Sequence, residues 1–367
     1  MKGNFVARTI PPVALLFLCL STNAAFASFE DEVAQMLVNA FDPNEPGVAV
    51  VVTKNDEILY SGAIGTANLE LGVPLTVTMP FEVASTTKQI TSAAILVLEE
   101  QGKLNTSDKL SVYFPDHPSG EATIEQLMQN ISGAFVPDHS MGSNRVRSDL
   151  TSQERLELLQ EGQPYFAPGE RYAYSNAGYW LLGAIIEEVS GESYADFIQE
   201  NIFDPLGMTN SYYGSHRNLI TNRVAGYDYT EDGIMNSSYT SETWAYSAGG
   251  LISSAVDIAT WSNSLFSGKV VSSTNVERMI TKAELNSGET VPYGYGLALA
   301  ELEGYRTAEH GGGHSGFLVH TTRLVDEDIF VVVLANSFYM TNGYRPPAEK
   351  NPAFIARRLA LMAAESE

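Results

Sequence analysis

Ser85-Thr86-Thr87-Lys88 places a hydroxyl and an amine three positions apart. On a helical turn such positions share a face, so the Lys88 amine can stand beside the Ser85 hydroxyl. A serine hydroxyl is a weak nucleophile near neutrality, and an adjacent neutral amine is one of the few side chains able to take its proton. The apolar spacing from Thr91 to Leu98 predicts a helix with Ser85 at its N-terminal end. Backbone N–H groups and the helix dipole favour a developing oxyanion there. Of the eight lysines, only Lys88 has a serine three positions before it. Alone, the tetrapeptide also fits a polar helix cap followed by a solvated lysine.

Two later groups could complete such a site. Tyr174-Ser175-Asn176 follows a Phe166-Ala167-Pro168-Gly169 turn and precedes a helix predicted from about Ala177. A phenol can relay a proton, and an asparagine amide can orient a substrate amide or carbonyl. A surface turn accounts for the same tripeptide. His310-Gly311-Gly312-Gly313-His314-Ser315-Gly316-Phe317 falls where two late strands should meet. Its glycines allow a ligand close to the backbone, and a free edge N–H could complete an oxyanion hole with that of Ser85. The competing reading is a glycine-rich hairpin whose histidines are satisfied locally.

Something must bring these three groups together. Val48–Thr53 and Ile58–Ser61 are β-rich runs flanking Asn55-Asp56, a hairpin signal. Helical spacing recurs over Ala93–Glu100, Ile124–Gln129, Gln153–Glu161, Trp180–Val189, Ala195–Ile202 and Ala255–Leu265, the last capped by Ser253 or Ser254. Leu297–Leu302, Phe317–Leu324 and Ile329–Ala335 read as strands, with a turn at Asp326-Glu327-Asp328, and Ala348–Ala364 as a terminal helix. The expected fold is α/β of the α+β kind: an antiparallel sheet formed by both termini and flanked by helices, with a mainly helical lobe inserted. Its sheet lobe would hold about residues 28–80 and 250–367, and its helical lobe about 81–249. The cleft between them is the expected place for an active site.

Composition narrows the function classes. With 44% hydrophobic and 18% charged residues, the 367-residue chain has the make-up of a globular protein with a sizeable core. Residues 1–27 read as a cleavable signal peptide, with Lys2 and Arg8 in the basic region, Val13 to Leu20 as the apolar region and Ala25-Phe26-Ala27 as the cleavage site. The single cysteine, Cys19, lies inside it, and Leu18 stands where a lipoprotein signal would carry Gly or Ala. The mature chain would then be free of disulfides and lipid, and periplasmic or secreted. Removing two positive charges takes the net charge from −23 to −25. So acidic a chain argues against nucleic acid or anionic lipid as a partner. No second apolar stretch approaches membrane-spanning length.

The three groups, in this order and spacing, resemble the serine β-lactamase/DD-peptidase superfamily, whose signature is Ser-x-x-Lys, Tyr/Ser-x-Asn and a Lys/His-x-Gly strand. The resemblance extends to Gly102-Lys103-Leu104, Leu127 through Ser132-Gly133, Tyr174 to Tyr179, Pro205-Leu206-Gly207-Met208 and Ala248-Gly249-Gly250-Leu251. It is strongest to the branch of class C β-lactamases, DD-carboxypeptidases, D-aminopeptidases and β-lactamase-fold esterases. It implies Ser85 as the acylated nucleophile, Lys88 as its base and Tyr174 as general acid or base. It further implies Asn176 on the substrate carbonyl, His310 in place of the strand lysine, and Gly312 with Gly313 lining the substrate, the Gly313 N–H as second oxyanion donor.

The chain departs from that pattern in ways that bear on substrate. His310-Gly311 lacks the lysine and hydroxyl that many β-lactamases turn toward a substrate carboxylate. Esters or uncharged D-amino-acid peptides and amides are therefore expected ahead of β-lactams, a true β-lactamase or D-Ala-D-Ala carboxypeptidase being the alternative. Acidification to about pH 6 should narrow that gap, provided His310 titrates in that range and its cation can then meet the carboxylate. Asn130 stands where relatives often carry histidine, without an evident role. Small-molecule or peptidoglycan-type peptide substrates are expected, with neither cofactor nor metal. An α/β-hydrolase would need Gly-x-Ser-x-Gly, which is absent from the sequence. A metal site on His310, His314 and His320 would lack fixed ligand geometry across the glycines. A catalytically silent binding protein with this fold is the non-enzymatic rival.

Overall fold

A computed structural model of the chain describes Met1 and residues 28–136, 144–214, 217–340 and 345–366. The signal peptide read in residues 1–27, apart from Met1, lies outside the described residues.

Both ends of the chain build one six-stranded antiparallel sheet. Its spatial order is Ala298–Leu302, Tyr305–His314, Phe317–Leu324, Ile329–Ala335, Val48–Lys54 and Glu57–Ile64. The N-terminal hairpin turns at Asn55 and Asp56, whose φ values of 51° and 64° are those of a two-residue primed turn. Val48–Lys54 then pairs with the late strand, Val48 opposite Ala335 and Lys54 opposite Ile329. Val48–Val52 and the whole of Ile329–Ala335 are apolar because both faces of the sheet are covered there. Val48, Val50 and Val52 meet Val33 and Leu37 of the Phe29–Ala40 helix and Ile355, Leu359 and Ala363 of the Pro352–Glu365 helix. Ala49 and Val51 face the main core with Ile258, Trp261 and Leu265.

The middle of the chain is helical where it matters to the site. Thr87–Glu100 is buried nearly all round, from Thr87 through Leu96, so it is a core helix with no solvent stripe. Asn176–Ser190 packs beside it and ends on Gly191 at φ 76°, a left-handed stop. Each expected helix is present, with shifted ends. The one expected from about Ala177 begins at Asn176, where Ser175 caps it by accepting the Gly178 N–H. Ser254 caps Ala255–Phe266. The 194–203 stretch breaks after Ile198 into a wider turn.

Three features depart from the expected layout. Phe29–Ala40 is a helix with a capping box on Ser28 and Asp31. The middle segment also contributes short strands, Tyr227–Thr230 pairing in parallel with Ser337–Tyr339. A three-stranded ribbon joins Phe81–Glu82, Leu251–Ser253 and Tyr212–Tyr213. The third is the glycine motif, which departs from the hairpin reading and keeps the strand that the resemblance implies: His310 to His314 form the end of the Tyr305–His314 strand, and the turn follows at Ser315-Gly316. Glycine weakens a strand by entropy; here the close packing described below holds it.

Candidate active site

Ser85 occupies a single 3-10 turn, Ala84–Thr86, that leads into the Thr87–Glu100 helix. Lys88 therefore lies in the first turn of the α-helix and Ser85 just ahead of it. Ala84 takes the left-handed conformation at φ 45°, which costs a non-glycine residue about 1–3 kcal/mol and marks an over-determined turn. The result is a partly exposed Ser85 between buried neighbours.

Lys88 is 0% exposed. Its Nζ lies 3.1 Å from Ser85 Oγ, 2.8 Å from Asn176 Oδ1 and 2.7 Å from the Ala248 carbonyl. Burial pulls its pKa well below the ordinary 10.5. The Ala248 carbonyl is held by a tight turn stitched to the same helix. Thr91 Oγ1 donates to the Ser247 carbonyl at 2.7 Å, and Leu251 N donates to Thr87 Oγ1 at 3.3 Å. Tyr246, at φ 41° and ψ −136°, carries the strain of that turn.

Tyr174 and Asn176 enter from the neighbouring helix start. The Tyr174 ring is 44% exposed and sits 4.8 Å from Lys88 Nζ. Its hydroxyl faces Ser85, while burial raises its pKa far enough to keep it a neutral phenol. Asn176, the first residue of its helix, accepts from Lys88 and so orients the amine. Asn130 fixes this segment from below. Its Oδ1 accepts the Ser175 N–H at 3.0 Å and its carbonyl the Ala173 N–H at 3.0 Å, bracketing Tyr174 on both sides. Asn130 is itself left-handed at φ 58° and 1% exposed.

The glycine strand closes the third side. Strand pairing on its outer side ends at Glu309, opposite Ala298, so among the described residues no strand neighbours His310 to His314 there. That edge is pressed against the nucleophile turn. A Cβ on Gly312 would lie 2.6 Å from the Val83 carbonyl and 3.0 Å from Ala84 Cβ, whereas one on Gly313 would meet nothing nearer than 3.4 Å. Gly312 is thus fixed by close approach, and Gly313 is the exposed position beside it.

His310 differs from its expected part. It is 5% exposed, its Nε2 accepts from the Tyr293 hydroxyl at 3.0 Å, and its Nδ1–H donates to the Gly311 carbonyl at 2.6 Å. Burial, with Lys88 nearby, pulls its pKa down to about 3. Burial and the engagement of both ring nitrogens thus work against the charge near pH 6 on which a carboxylate contact by His310 would depend. Tyr172, Tyr174, Tyr293 and His310 form an aromatic wall, with ring centroids 5.7–6.4 Å apart. The three late histidines hold different partners. His314 pairs with Glu82 at 2.8 Å and His320 with Glu309 at 3.5 Å.

Sequence reasoning left out Ala248, Tyr293 and the part played by Asn130. A backbone carbonyl has no side-chain signature, although Ala248-Gly249-Gly250-Leu251 is one of the stretches that carry the resemblance. Nothing in the run around Tyr293 marks it.

A hydroxyl and a buried amine, faced by a tyrosine and by a glycine edge, on this sheet-and-helix frame, define a serine β-lactamase-like protein. A family model described as Beta-lactamase matches residues 28–352, and the chain belongs to that family, within the serine β-lactamase/DD-peptidase superfamily of serine hydrolases. Penicillin-binding protein 4* of Bacillus subtilis (strain 168) is 31% identical over 309 residues, 78% of this chain and 67% of that protein. A D-aminopeptidase of Gluconobacter oxydans (strain 621H) is 26% identical over 297 residues, 79% of this chain and 56% of that protein. The chain thus spans between 56% and 67% of the length of these two curated relatives. The octameric penicillin-binding protein homologue from Pyrococcus abyssi superposes with a TM-score of 0.75 at 27% identity, over 92% of this chain and 77% of that one.

Proposed function

We propose that this chain hydrolyses uncharged esters and D-amino-acid amides or peptides through an acyl-enzyme on Ser85. The observation that carries this reading is the fully buried Lys88 amine 3.1 Å from Ser85 Oγ. A neutral amine has two N–H groups and one lone pair. Asn176 Oδ1 and the Ala248 carbonyl take the two N–H groups at 2.8 and 2.7 Å, which leaves the lone pair for the Ser85 hydroxyl to donate into.

Attack of Ser85 Oγ on the substrate carbonyl carbon then passes the serine proton to Lys88. The carbonyl oxygen becomes an oxyanion, met by the N–H groups of Ser85 and Gly313. Collapse breaks the bond to the leaving group. Tyr174, a neutral phenol touching Ser85, hands that group a proton and regains it from Lys88. Water attacks the acyl carbon by the same route in reverse and frees Ser85.

Two things support uncharged substrates. The wall beside Ser85 is aromatic and its histidine neutral. The nearest strand cation, His314, is already matched by Glu82. The relatives named a penicillin-binding protein and a D-aminopeptidase support peptide-like acyl groups. The same reading takes residues 1–27 as an export leader and the periplasm or the medium as the place of action.

The test is a fluorescent phosphonate with intact-mass readout, followed by turnover of p-nitrophenyl esters, D-amino-acid amides, D-Ala-D-Ala peptides and nitrocefin. One adduct on the Ser85 peptide, lost in Ser85→Ala, and fastest turnover of esters or amides are expected. An adduct elsewhere removes Ser85, and fastest turnover of nitrocefin makes the chain a β-lactamase. No adduct and no turnover mark a silent binding protein.

A further inference from the structure

A buried cluster of charges, outside the steps above, joins the segments that carry the site. Glu82 lies three residues before Ser85, and its Oε2 is 2.8 Å from Nδ1 of His314, the last residue of the glycine strand. Arg223 reaches Glu82 at 3.2 Å and Glu242 at 3.6 Å. Glu242 opens the helix Glu242–Gly249, whose far end supplies the Ala248 carbonyl to Lys88. Asp228, the remaining charge facing His314, accepts the N–H of Gly316 at 2.9 Å, just past the strand end. Side-chain exposures are 12% for Glu82, 14% for His314 and 3% for Glu242.

Resting on the Ser85 reading, we propose that the Glu82–His314 ion pair braces the nucleophile turn against the glycine strand, making both side chains positioning residues for acyl transfer. The geometry requires some such tie. The two candidate oxyanion donors, the N–H groups of Ser85 and Gly313, belong to different segments. Gly312 touches Val83 and Ala84 between them, but van der Waals contact only sets how near the strand can come. The ion pair sets how far it can drift, from one residue beyond Gly313 to the residue before Val83. Misplacing a donor by about 1 Å can cost on the order of 100-fold in rate.

The charge states fit a brace that works near neutrality. Burial pulls His314 down, but Glu82, then Glu242 and Asp228, hold it up at about 9. Burial pushes Glu82 up, but His314 and Arg223 outweigh it and keep its pKa below the ordinary 4.5. Burial and the neighbouring Glu82 carboxylate push the Glu242 carboxyl well above its ordinary 4.5. A raised histidine contributes stability that is fully present below its unfolded value and lost as pH rises through the folded one. A lowered carboxylate contributes stability that is lost as pH falls below the ordinary value. The pair is therefore intact from a pH below the ordinary 4.5 of a glutamate up to about pH 9.

The pair also lines a cleft of about 380 Å³ with Ser237, Ser238 and Phe317, so a substrate contact must be told apart from a brace. The experiment measures phosphonylation of Ser85 and steady-state ester turnover in full-length wild type, Glu82→Gln, His314→Gln and the double variant. Each single variant is expected to lose about 10- to 100-fold in phosphonylation rate and kcat with KM within about threefold, and the double variant to lose little more than either. In wild type the phosphonylation rate should fall as pH rises through about 9, a limb absent from His314→Gln. Rates within twofold of wild type, a rise in KM at constant kcat, or additive losses overturn the brace. Should the variants fail to fold, a wild-type profile flat through pH 9 overturns it and a falling one upholds it. Absence of any Ser85 adduct in wild type defeats the Ser85 reading itself, a different outcome from an adduct whose rate ignores the pair.

Discussion

With two N–H groups of Lys88 committed to Asn176 and Ala248, chemistry at Ser85 turns on whether the third position of that nitrogen holds a proton or a lone pair. Burial lowers the pKa, so acylation should rise with pH as the proton leaves, along a limb well below the ordinary 10.5 of lysine and ahead of the fall through about pH 9 set by His314. Lys88→Arg keeps a permanent proton and should lose at least about 10³-fold in phosphonylation rate, read by stopped-flow fluorescence. Retention of even a tenth of the wild-type rate would remove Lys88 as base. Tyr174→Phe deletes only the proton relay and should cost about 10²–10⁴-fold in ester turnover. Asn130 acts one step further back. Asn130→Gly keeps the left-handed backbone but leaves the buried Ser175 N–H without its acceptor, a loss of about 1–3 kcal/mol in urea unfolding, with kcat falling more than KM changes. Unchanged kcat would make Asn130 a stabilising residue alone.

At the level of elements, the site depends on one strand lying unusually close to one turn. Gly312→Ala would drive a methyl into the Val83 carbonyl, whereas Gly313→Ala finds its first neighbour at 3.4 Å. Gly312→Ala should therefore lower kcat by about 100-fold or more, and Gly313→Ala by less than about tenfold. Equal effects would mean that the close approach does not set the site. The same comparison shows what the sequence could and could not convey. The hairpin at Asn55-Asp56 and the strand Ile329–Ala335 were legible because periodicity and turn chemistry act locally. So were Ser85, Lys88, Tyr174 and Asn176, whose types announce their chemistry. The strand 305–314 was not, because its glycines break every local β signal and are held by packing against a turn more than 200 residues away. The surroundings of His310 were hidden for the same reason. Burial and the nearby Lys88 lower its pKa, and neither is visible in His-Gly-Gly.

Over the whole molecule, a formal charge of −23 surrounds a site with no uncompensated cation on its glycine strand. Such a field repels anionic substrates at long range and leaves neutral ones unaffected, and salt screens it over about 10 Å at 0.1 M. Nitrocefin carries a carboxylate, whereas a short-chain p-nitrophenyl ester does not. Raising the ionic strength from about 0.01 M to about 0.15 M should therefore increase kcat/KM for nitrocefin about threefold or more, and leave the ester unchanged. The difference in kcat/KM at fixed salt should favour the ester at both pH 6 and pH 7.5. His310, with its pKa near 3, gains no charge in that interval to receive a carboxylate. A preference that narrows on acidification would show that His310 is exposed to protons in solution, and would return it to the role of the strand cation. A nitrocefin rate that ignores salt would mean that local donors outweigh the field of the molecule, and that carboxylate recognition survives without the strand lysine.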